Sequence, residues 1–324
     1  PTDWDAFDRL VFTPAEMAQN SAHFSPELLA KFAALKLRSE QLLDEGYTQL
    51  QTLNLMASKE LLSTDDGPIA IGLGGDWRDE KAAYKSPLGI RPEFSGQRQN
   101  WSVYSELQAP LHAQHDVSLA LRHDRYSDFG GVSTGKLGWR WRPVNGFMVR
   151  SSIGKGFRAP TVAQMQPIST ELYQFTDLQT QKTLTVRNAG NPQLKPEQSS
   201  QATLGFRWEP SGRLSVGADY WQLRIDDTFG TYSEQDVLDS ETLHKQYVIT
   251  ENGTTYLDLP NLNLGQSQRQ GIDYDIQWRE PTDWGRVRLS LRGSWNLRAR
   301  KQAVNGGPFE SELGIYAGNT QSYT

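Results

Sequence analysis

The 324-residue chain contains no cysteine, so a disulfide framework and a thiolate metal site are both excluded. It also lacks an apolar run of about 18 residues, which excludes a transmembrane helix. The formal net charge of -5 gives no basic surface for nucleic acid. Only 37% of the residues are hydrophobic and the mean hydropathy is -0.62. A β-barrel tolerates this hydrophilicity, because only alternate strand residues meet lipid.

Short segments in which apolar and polar residues alternate run through most of the chain. In 286–297, the arginines Arg286, Arg288 and Arg292 alternate with leucine, valine and tryptophan. A strand has a side-chain period of two, so this segment has one polar and one apolar face. Three unpaired arginines cannot lie in a dry core, so the polar face points to water. The same alternation occurs in 69–77, 101–109, 117–124, 136–142, 202–208 and 272–278. In 213–226 the phase slips near Tyr220-Trp221, which predicts a bulge.

The connections between these strands alternate strictly between tight and long. Tight turns rich in Pro, Gly, Asn and Asp are predicted near 62–66, 110–115, 143–146, 210–212 and 280–285. The other connections, near 80–97, 158–197 and 228–262, are longer, and the short one near 127–132 occupies the same alternate position. This asymmetry is typical of up-and-down membrane barrels, which have short periplasmic turns and long extracellular loops.

Three strands carry a tryptophan on the apolar face just before a tight turn. These residues are Trp141, Trp208 and Trp278. Indoles prefer a position with one end apolar and one end wet, so they gather at membrane interfaces. We therefore predict an aromatic girdle in contact with outer-membrane lipid. The alternative is that tryptophan simply fits strands well.

These patterns predict an all-β fold: a transmembrane antiparallel up-and-down barrel of which the chain contains about ten strands. Residues 49–324 would form this partial barrel, and residues 310–320 would begin one more strand. Residues 1–48 would form an outer-loop segment with short helices, since Thr13-Pro14-Ala15-Glu16 is a capping box. The alternative for this segment is a partner-binding helix. The chain opens at Pro1, without an initiating Met or a signal peptide, so we expect a fragment or a processed chain.

Two segments at the ends of connection 158–197 carry a family resemblance. The first is Gly154-Lys155-Gly156-Phe157-Arg158-Ala159-Pro160-Thr161, and the second is Asn191-Pro192-Gln193-Leu194-Lys195-Pro196-Glu197. They resemble the FRAP and NPxLKPE boxes of TonB-dependent outer-membrane receptors, and 67–78, 104–110 and 122–130 are similar to strands of that family. The residues that carry the resemblance are Phe157, Arg158, Pro160, Asn191, Pro192, Leu194, Pro196 and Glu197.

The resemblance implies a barrel of about 22 strands in the outer membrane of a Gram-negative bacterium, filled by an N-terminal plug. A TonB energy-coupling complex would pull on that plug and admit a scarce small-molecule ligand, such as a siderophore, an oligosaccharide or cobalamin. No plug and no TonB box are present in this sequence, so we expect the barrel part of such a receptor. By their chemistry the two boxes suit a scaffolding role: prolines stiffen the loop, and Arg158 is able to pair with Glu197.

The long connections hold the candidate ligand-binding residues. Tyr173 and Phe175 lie in 158–197, whereas Tyr232, His244, Tyr247 and Tyr256 lie in 228–262. Aromatic side chains on outer loops suit stacking on sugars or planar siderophores, and they suit packing of loop on loop equally well. Haem receptors of the family carry a His between the two boxes, and 161–190 contain none, which disfavours haem.

The sequence gives little support for an enzyme or a cofactor site. It contains no G-x-S-x-G elbow before a helix, no H-E-x-x-H and no phosphate loop. We therefore expect no catalytic residues, no resident metal and no cofactor, and we interpret His112 and His115 as solvated turn residues. Two alternatives to an active receptor stay open. One is a passive porin whose arginine-rich wall lines a channel, and the other is a soluble β-rich carbohydrate-binding module.

Overall fold

The computed structural model describes residues 44–86, 93–167, 169–251 and 253–314 of the chain. An eleven-stranded sheet contains most of these residues, and its strands follow one another in chain order apart from two interruptions. The strands of this large sheet are β1 (Glu45–Thr64), β2 (Gly67–Lys85), β3 (Phe94–His112), β4 (His115–Tyr126), β5 (Gly130–Val144), β6 (Phe147–Arg158), β9 (Glu197–Ser211), β10 (Leu214–Gly230), β13 (Leu262–Thr282), β14 (Gly285–Gln302) and β15 (Phe309–Ser311). The prediction of a partial up-and-down barrel wall is confirmed, with β15 as the eleventh strand.

As predicted, the tight and the long connections of the large sheet lie at opposite ends of its strands. Tight turns join β1 to β2, β3 to β4, β5 to β6, β9 to β10 and β13 to β14. Since neighbouring strands run antiparallel, all five turns lie at the same end of the strands. The longer connections, including those after β6 and β10, therefore lie at the opposite end of the strands.

The two longest connections are themselves folded, and they supply a second, four-stranded sheet. Its strands are β7 (Ser169–Thr176), β8 (Thr183–Ala189), β11 (Val248–Glu251) and β12 (Thr254–Pro260), in the order β11-β12-β8-β7. Helices α1 (Glu234–Asp239) and α2 (Glu241–Tyr247) precede β11. We call these six elements the loop module. The parallel pairing of β8 with β12 joins the first connection to the second.

The register of the large sheet gathers the apolar residues onto one face. Across β10 and β13, for example, Val216 lies opposite Ile276 and Tyr220 opposite Ile272. Large side chains of this face are exposed to between 51% and 59%: Leu73, Val103, Leu121, Ile153, Leu204 and Leu291. A water-soluble domain rarely exposes so extensive an apolar surface, whereas a barrel wall presents one to lipid.

The predicted bulge near Tyr220-Trp221 is wrong. Strand β10 keeps a continuous register with β9 and β13 through both residues. Tyr220 stays on the apolar face, and Trp221 lies on the polar face over Gly271, where a Cβ atom would approach the indole to 2.6 Å. The space left by the missing side chain of this glycine accommodates the indole, so the strand needs no extra residue. The breaks in the pairing of β10 with β13 occur later, between Asp226 and Phe229.

Most of residues 1–48 lie outside the described part of the chain, and with them the predicted outer-loop helices. Of residues 310–320, predicted to begin a further strand, only 310–314 are described, and β15 includes the first two. Within the described residues, no helix combines the length and the apolar character needed to cross a membrane.

Candidate functional site

The first long connection is closed at its base by the predicted pair of Arg158 and Glu197. These residues face each other at the ends of β6 and β9, and two nitrogens of one guanidinium edge reach the carboxylate: Nη2 donates to Oε1 at 2.7 Å and Nε lies 2.7 Å from Oε2. Glu197 is 6% exposed and also accepts the backbone N–H of Phe229 at 2.7 Å. The guanidinium lies 4.9 Å from the ring centre of Phe229. One carboxylate therefore fixes the start of the second long connection as well as both ends of the first.

The other residues of the two boxes also make structural contacts. Pro160 and Leu194 are almost fully buried. The Asn191 side chain donates to the backbone carbonyl of Asn261 at 3.0 Å and accepts the Gln193 N–H at 2.8 Å. Phe157 packs edge-on against Tyr126 at 6.0 Å. These contacts support the scaffolding role that the chemistry of the two boxes suggested.

Asn263 adds a second clamp between the two connections. Its side-chain oxygen accepts the Lys195 N–H at 2.9 Å, and its side-chain nitrogen donates to the carbonyls of Lys195 and Asp227 at 2.8 and 2.9 Å. Asp227 has a positive φ of 57°, a conformation that costs energy in residues other than glycine. We infer that the hydrogen bond to its carbonyl helps to hold this strained turn.

The loop module has a hydrophobic core to which both connections contribute. Val186 comes from the first connection, and Val237, Tyr247, Leu257 and Leu259 come from the second. All five are at most 8% exposed. Side chains that pack against this core are Phe175, Tyr232, Leu238, Leu243, Val248 and Leu262. Because both connections contribute side chains to this core, each stabilises the other.

Polar contacts between the two connections surround this core. Arg187 of β8 donates to Asp258 at 2.9 Å and to Glu251 at 3.0 Å, and its guanidinium lies 5.4 Å from the ring centre of Tyr256. Hydrogen bonds to Asp258 and then to Glu251 raise the pKa of Arg187 above its ordinary value. The Tyr173 hydroxyl donates to Glu234 at 2.5 Å. These contacts place β7 and β8 firmly against the elements of the second connection.

A turn between β7 and β8 is organised by the carboxylate of Asp177. It accepts the Thr180 hydroxyl, the Gln179 N–H at 3.0 Å and the Gln235 side-chain amide at 3.2 Å. These hydrogen bonds, the Thr180 hydroxyl first, lower the pKa of Asp177 to about 2. The carboxylate therefore stays ionised in mild acid and continues to join the turn to α1.

Five of the six predicted ligand-binding residues lie in the loop module, and the sixth, Tyr232, lies just before α1; their environments differ. Tyr247 is 8% exposed within the core, and Phe175 and Tyr232 pack against that core. Tyr173 is 37% exposed, and His244 is an exposed residue of α2. Tyr256 is half-buried beside Arg187. The structure thus brings Tyr232 and Tyr247 of the second connection together, with ring centres 5.6 Å apart, as part of the core rather than of an open surface.

The polar face of the large sheet carries ion pairs that cross from strand to strand. Arg122 of β4 meets Asp76 of β2 at 2.9 Å, and Arg150 of β6 meets Asp219 of β10 at 2.5 Å. Arg207 of β9 meets Asp275 of β13 at 3.1 Å. These pairs match part of the charge on this face, and their exposed side chains keep it in contact with water. The polar wall predicted for a lumen is therefore present, and several of its cations are paired with carboxylates.

The three predicted girdle tryptophans lie on the apolar face, close to the tight turns. Trp208 and Trp278 are 46% and 37% exposed. The rings of Trp141 and Trp139 lie 6.0 and 5.8 Å from that of His115 and 6.2 Å from each other, all nearly parallel. The indole N–H of Trp139 donates to His115 Nδ1 at 3.2 Å. His115 thus belongs to an aromatic cluster, which the interpretation as a solvated turn residue missed.

Sequence reasoning also missed the fusion of the two long connections. The β8–β12 pair joins residues about 71 positions apart, such as Arg187 and Asp258. The alternating apolar residues of 184–186 and 257–259 are typical of short strands, although both segments had been predicted to be loops. Which strand pairs with which could not be read from periodicity, since pairing is a property of the folded chain.

Comparison with known proteins gives matches over almost the whole chain. Residues 7–322 match the family model for the TonB dependent receptor-like β-barrel. The vitamin B12 transporter BtuB of Vibrio vulnificus is 27% identical over 164 residues, which are 50% of this chain and 22% of that protein.

Solved structures give the same picture of the fold. The ferric enterobactin receptor PfeA of Pseudomonas aeruginosa, crystallised with enterobactin, matches with a TM-score of 0.63 and 15% identity, over 78% of this chain and 36% of that one. The siderophore receptor PirA of Pseudomonas aeruginosa gives 0.52 and 17%, over 78% and 44%. The RagAB peptide transporter gives 0.57 and 12%, over 82% and 31%. At these identities the likeness shows a shared fold, and the chain spans less than half the length of each relative.

Proposed function

Because this chain belongs to the TonB-dependent receptor-like β-barrel family, we propose that it is the barrel part of an outer-membrane receptor that imports a scarce ligand actively. In this proposal the loop module captures the ligand outside the cell. The polar face lines the lumen around a plug, and the TonB energy-coupling complex acts through that plug in the Gram-negative envelope.

One observation carries the proposal beyond the family assignment. The two longest connections lie at the same end of the strands and fold into one module with a shared core. Glu197 joins both of them to the wall. Passive diffusion through a pore does not require an ordered binding surface at the pore entrance. A receptor does require one, because a rigid surface lowers the entropic cost of binding a ligand. The exposed side chains of Tyr173 and His244 belong to this module.

The ligand class stays broad. The relatives are described as a vitamin B12 transporter, siderophore receptors and a peptide transporter. We propose a siderophore or cobalamin, the ligands named for the first two of these relatives, or an oligosaccharide, on which exposed aromatic side chains suit stacking. Tyr173, His244 and Tyr256 are the members of the predicted set that remain accessible enough to contact it.

The test is uptake by cells that express the complete gene product, in matched strains with and without tonB. We expect the protein in the outer-membrane fraction, and uptake of one labelled ligand class only when tonB is present. Uptake that does not require tonB would instead favour a passive porin. Recovery of the folded protein from the soluble fraction would favour the carbohydrate-binding module.

A further inference from the structure

A row of polar side chains crosses five neighbouring strands of the large sheet, near the ends of the strands opposite the tight turns. The Cα register aligns one residue each from β6, β9, β10, β13 and β14: Lys155, Ser200, Arg224, Gln268 and Arg300. We call these five residues the cationic row. Its three cations come from alternate strands, and neighbouring strands lie about 4.8 Å apart, so the Cα atoms of successive cations are about 10 Å apart.

The cationic row lies on the apolar face of the sheet, not on its polar face. In β10 the register is continuous from Val216 through Tyr220 to Arg224, so these three side chains point to the same side. In β6, Lys155 follows two residues after Ile153, which is 59% exposed on the apolar face. The cations therefore belong to the surface that faces away from the lumen.

Strand β14 contributes its arginines to this face through an irregularity in its pairing. Trp295 lies on the apolar face, but the register of β14 with β13 then shifts and skips Leu297. The extra residue reverses the alternation, so Arg298 and Arg300 point to the apolar side beyond it. The Arg300 guanidinium donates twice to the side-chain oxygen of Gln268, at 3.0 and 2.7 Å, which places both side chains on one face.

Below the cationic row, the apolar face is free of charge over most of its height. The apolar band runs from Trp208 and Trp278 near the tight turns up to Tyr220 and Trp295. Between these limits, no residue on the apolar face of the five strands is charged. A barrel wall presents such a band to the acyl chains of lipid, so the row lies where head groups begin.

Cations outnumber anions beyond this band. On the apolar side of the five strands, the cations are Lys155, Arg224, Arg298 and Arg300, and the anion is Asp226. Asp226 pairs with Arg224 at 2.9 Å. Lys155 and Arg298 are exposed, and neither forms an ion pair within the part of the chain that the structure describes. The border of the apolar band is therefore positively charged and accessible.

An amphiphile with a negatively charged head group and apolar chains complements this surface. Arginine and lysine both bind phosphate, and the hydroxyl of Ser200, between Lys155 and Arg224, adds a hydrogen-bonding group. We propose that the cationic row and Arg298 bind phosphate groups on the head group of an outer-leaflet lipid whose acyl chains lie along the apolar band. Because successive cations of the row are about 10 Å apart, a head group with two phosphates engages two of them at once.

This inference rests on the outer-membrane placement in the proposed function and goes beyond it, because the site lies outside the barrel wall. Lipid A and monophosphoryl lipid A are matched probes, since both are acylated disaccharides that differ in one phosphate. Native mass spectrometry of the complete gene product in detergent measures the affinity for each. We expect lipid A to bind roughly fivefold more tightly, through the additional phosphate–cation contact.

Two results of this comparison would overturn the proposal. Equal affinities for the two lipids would mean that the phosphate groups are not recognised. Displacement of bound lipid A by an equal concentration of inorganic pyrophosphate would mean that the row takes a soluble anion, because pyrophosphate has no acyl chain to lie on the apolar band.

Single substitutions locate the binding on the apolar face. Lys155→Gln and Arg298→Gln each remove one exposed cation, and each should weaken lipid A binding roughly fivefold. The matched control is Lys136→Gln, because Lys136 is an exposed lysine of the neighbouring strand β5 that lies on the polar face, opposite Gly154. An equal loss in Lys136→Gln, or an unchanged affinity in both test variants, would contradict the assignment.

Uptake measurements separate this site from the proposed function. If tonB-dependent uptake of some ligand occurs while lipid A does not bind, the lipid site fails and the receptor function stands. If lipid A binds as expected and no ligand is taken up in a tonB-dependent manner, the receptor function fails and the lipid site stands.

Discussion

Arg158 and Glu197 form a two-point ion pair across the base of the first long connection, and the same carboxylate accepts the backbone N–H of Phe229 from the second. Although the Arg158 side chain is 64% exposed, that of Glu197 is only 8% exposed. The carboxylate therefore contributes more than an exposed pair would, because its hydrogen bonds are shielded from water.

We predict that Glu197→Gln loosens both long connections at once. The substitution removes the charge while keeping the size, and should lower the local stability of the loop module by about 1.5–3 kcal/mol. Hydrogen exchange of β8 and β12 measures this change, and both strands should lose protection together. The control is Glu209→Gln, near the tight turn between β9 and β10, which should leave the protection of β8 and β12 unchanged.

The shared core predicts that damage to one connection disorders the other. Leu257→Ala removes a fully buried side chain of β12 and should destabilise the module by about 2–5 kcal/mol. Limited proteolysis should then cut the first connection faster as well as the second. Leu178→Ala is the matched control, because Leu178 is 72% exposed and its truncation should cost less than about 0.5 kcal/mol. Faster cleavage confined to the second connection would contradict the idea of one module.

The pKa of Asp177, lowered to about 2, predicts how the module responds to acid. The folded pKa lies below the unfolded value of about 3.9, so this carboxylate stabilises the module above about pH 4. That contribution is lost progressively as the pH falls toward 2. Asp177→Asn should remove it at neutral pH and flatten the acid dependence of hydrogen exchange in β7 and β8. Asp283→Asn, in the tight turn between β13 and β14, is the control and should leave that dependence intact.

The position of the tryptophans on the apolar face predicts contact with lipid near the tight turns. In protein reconstituted with brominated lipid, Trp208→Phe and Trp278→Phe should each reduce the quenched fraction of the fluorescence, because bromine quenches indoles only at short range. Trp221→Phe should not reduce the quenched fraction, since Trp221 lies on the polar face, away from lipid. If the girdle variants behave like Trp221→Phe, these side chains do not meet lipid.

Much of the wall could be predicted because the side-chain pattern of each strand depends only on residues close together in the sequence. Alternation in 272–278 and 286–297 assigned Trp278 and Leu289 to one face, and the structure pairs these residues across β13 and β14. The turns followed from Pro, Gly, Asn and Asp, and the pairing of Arg158 with Glu197 followed from two boxes at the ends of one connection. The error at Tyr220-Trp221 arose because periodicity does not reveal a glycine on the neighbouring strand that leaves room for an indole.

The sequence by itself determined the strands, their two faces and the edge from which the long connections leave, because each depends on residues close together in the chain. Only the tertiary structure decided that the two long connections share one core and that Glu197 ties both to the wall. These relationships join residues on different strands and connections. Their free energy comes from burial and hydrogen bonding across those distances, which a pattern of period two does not encode.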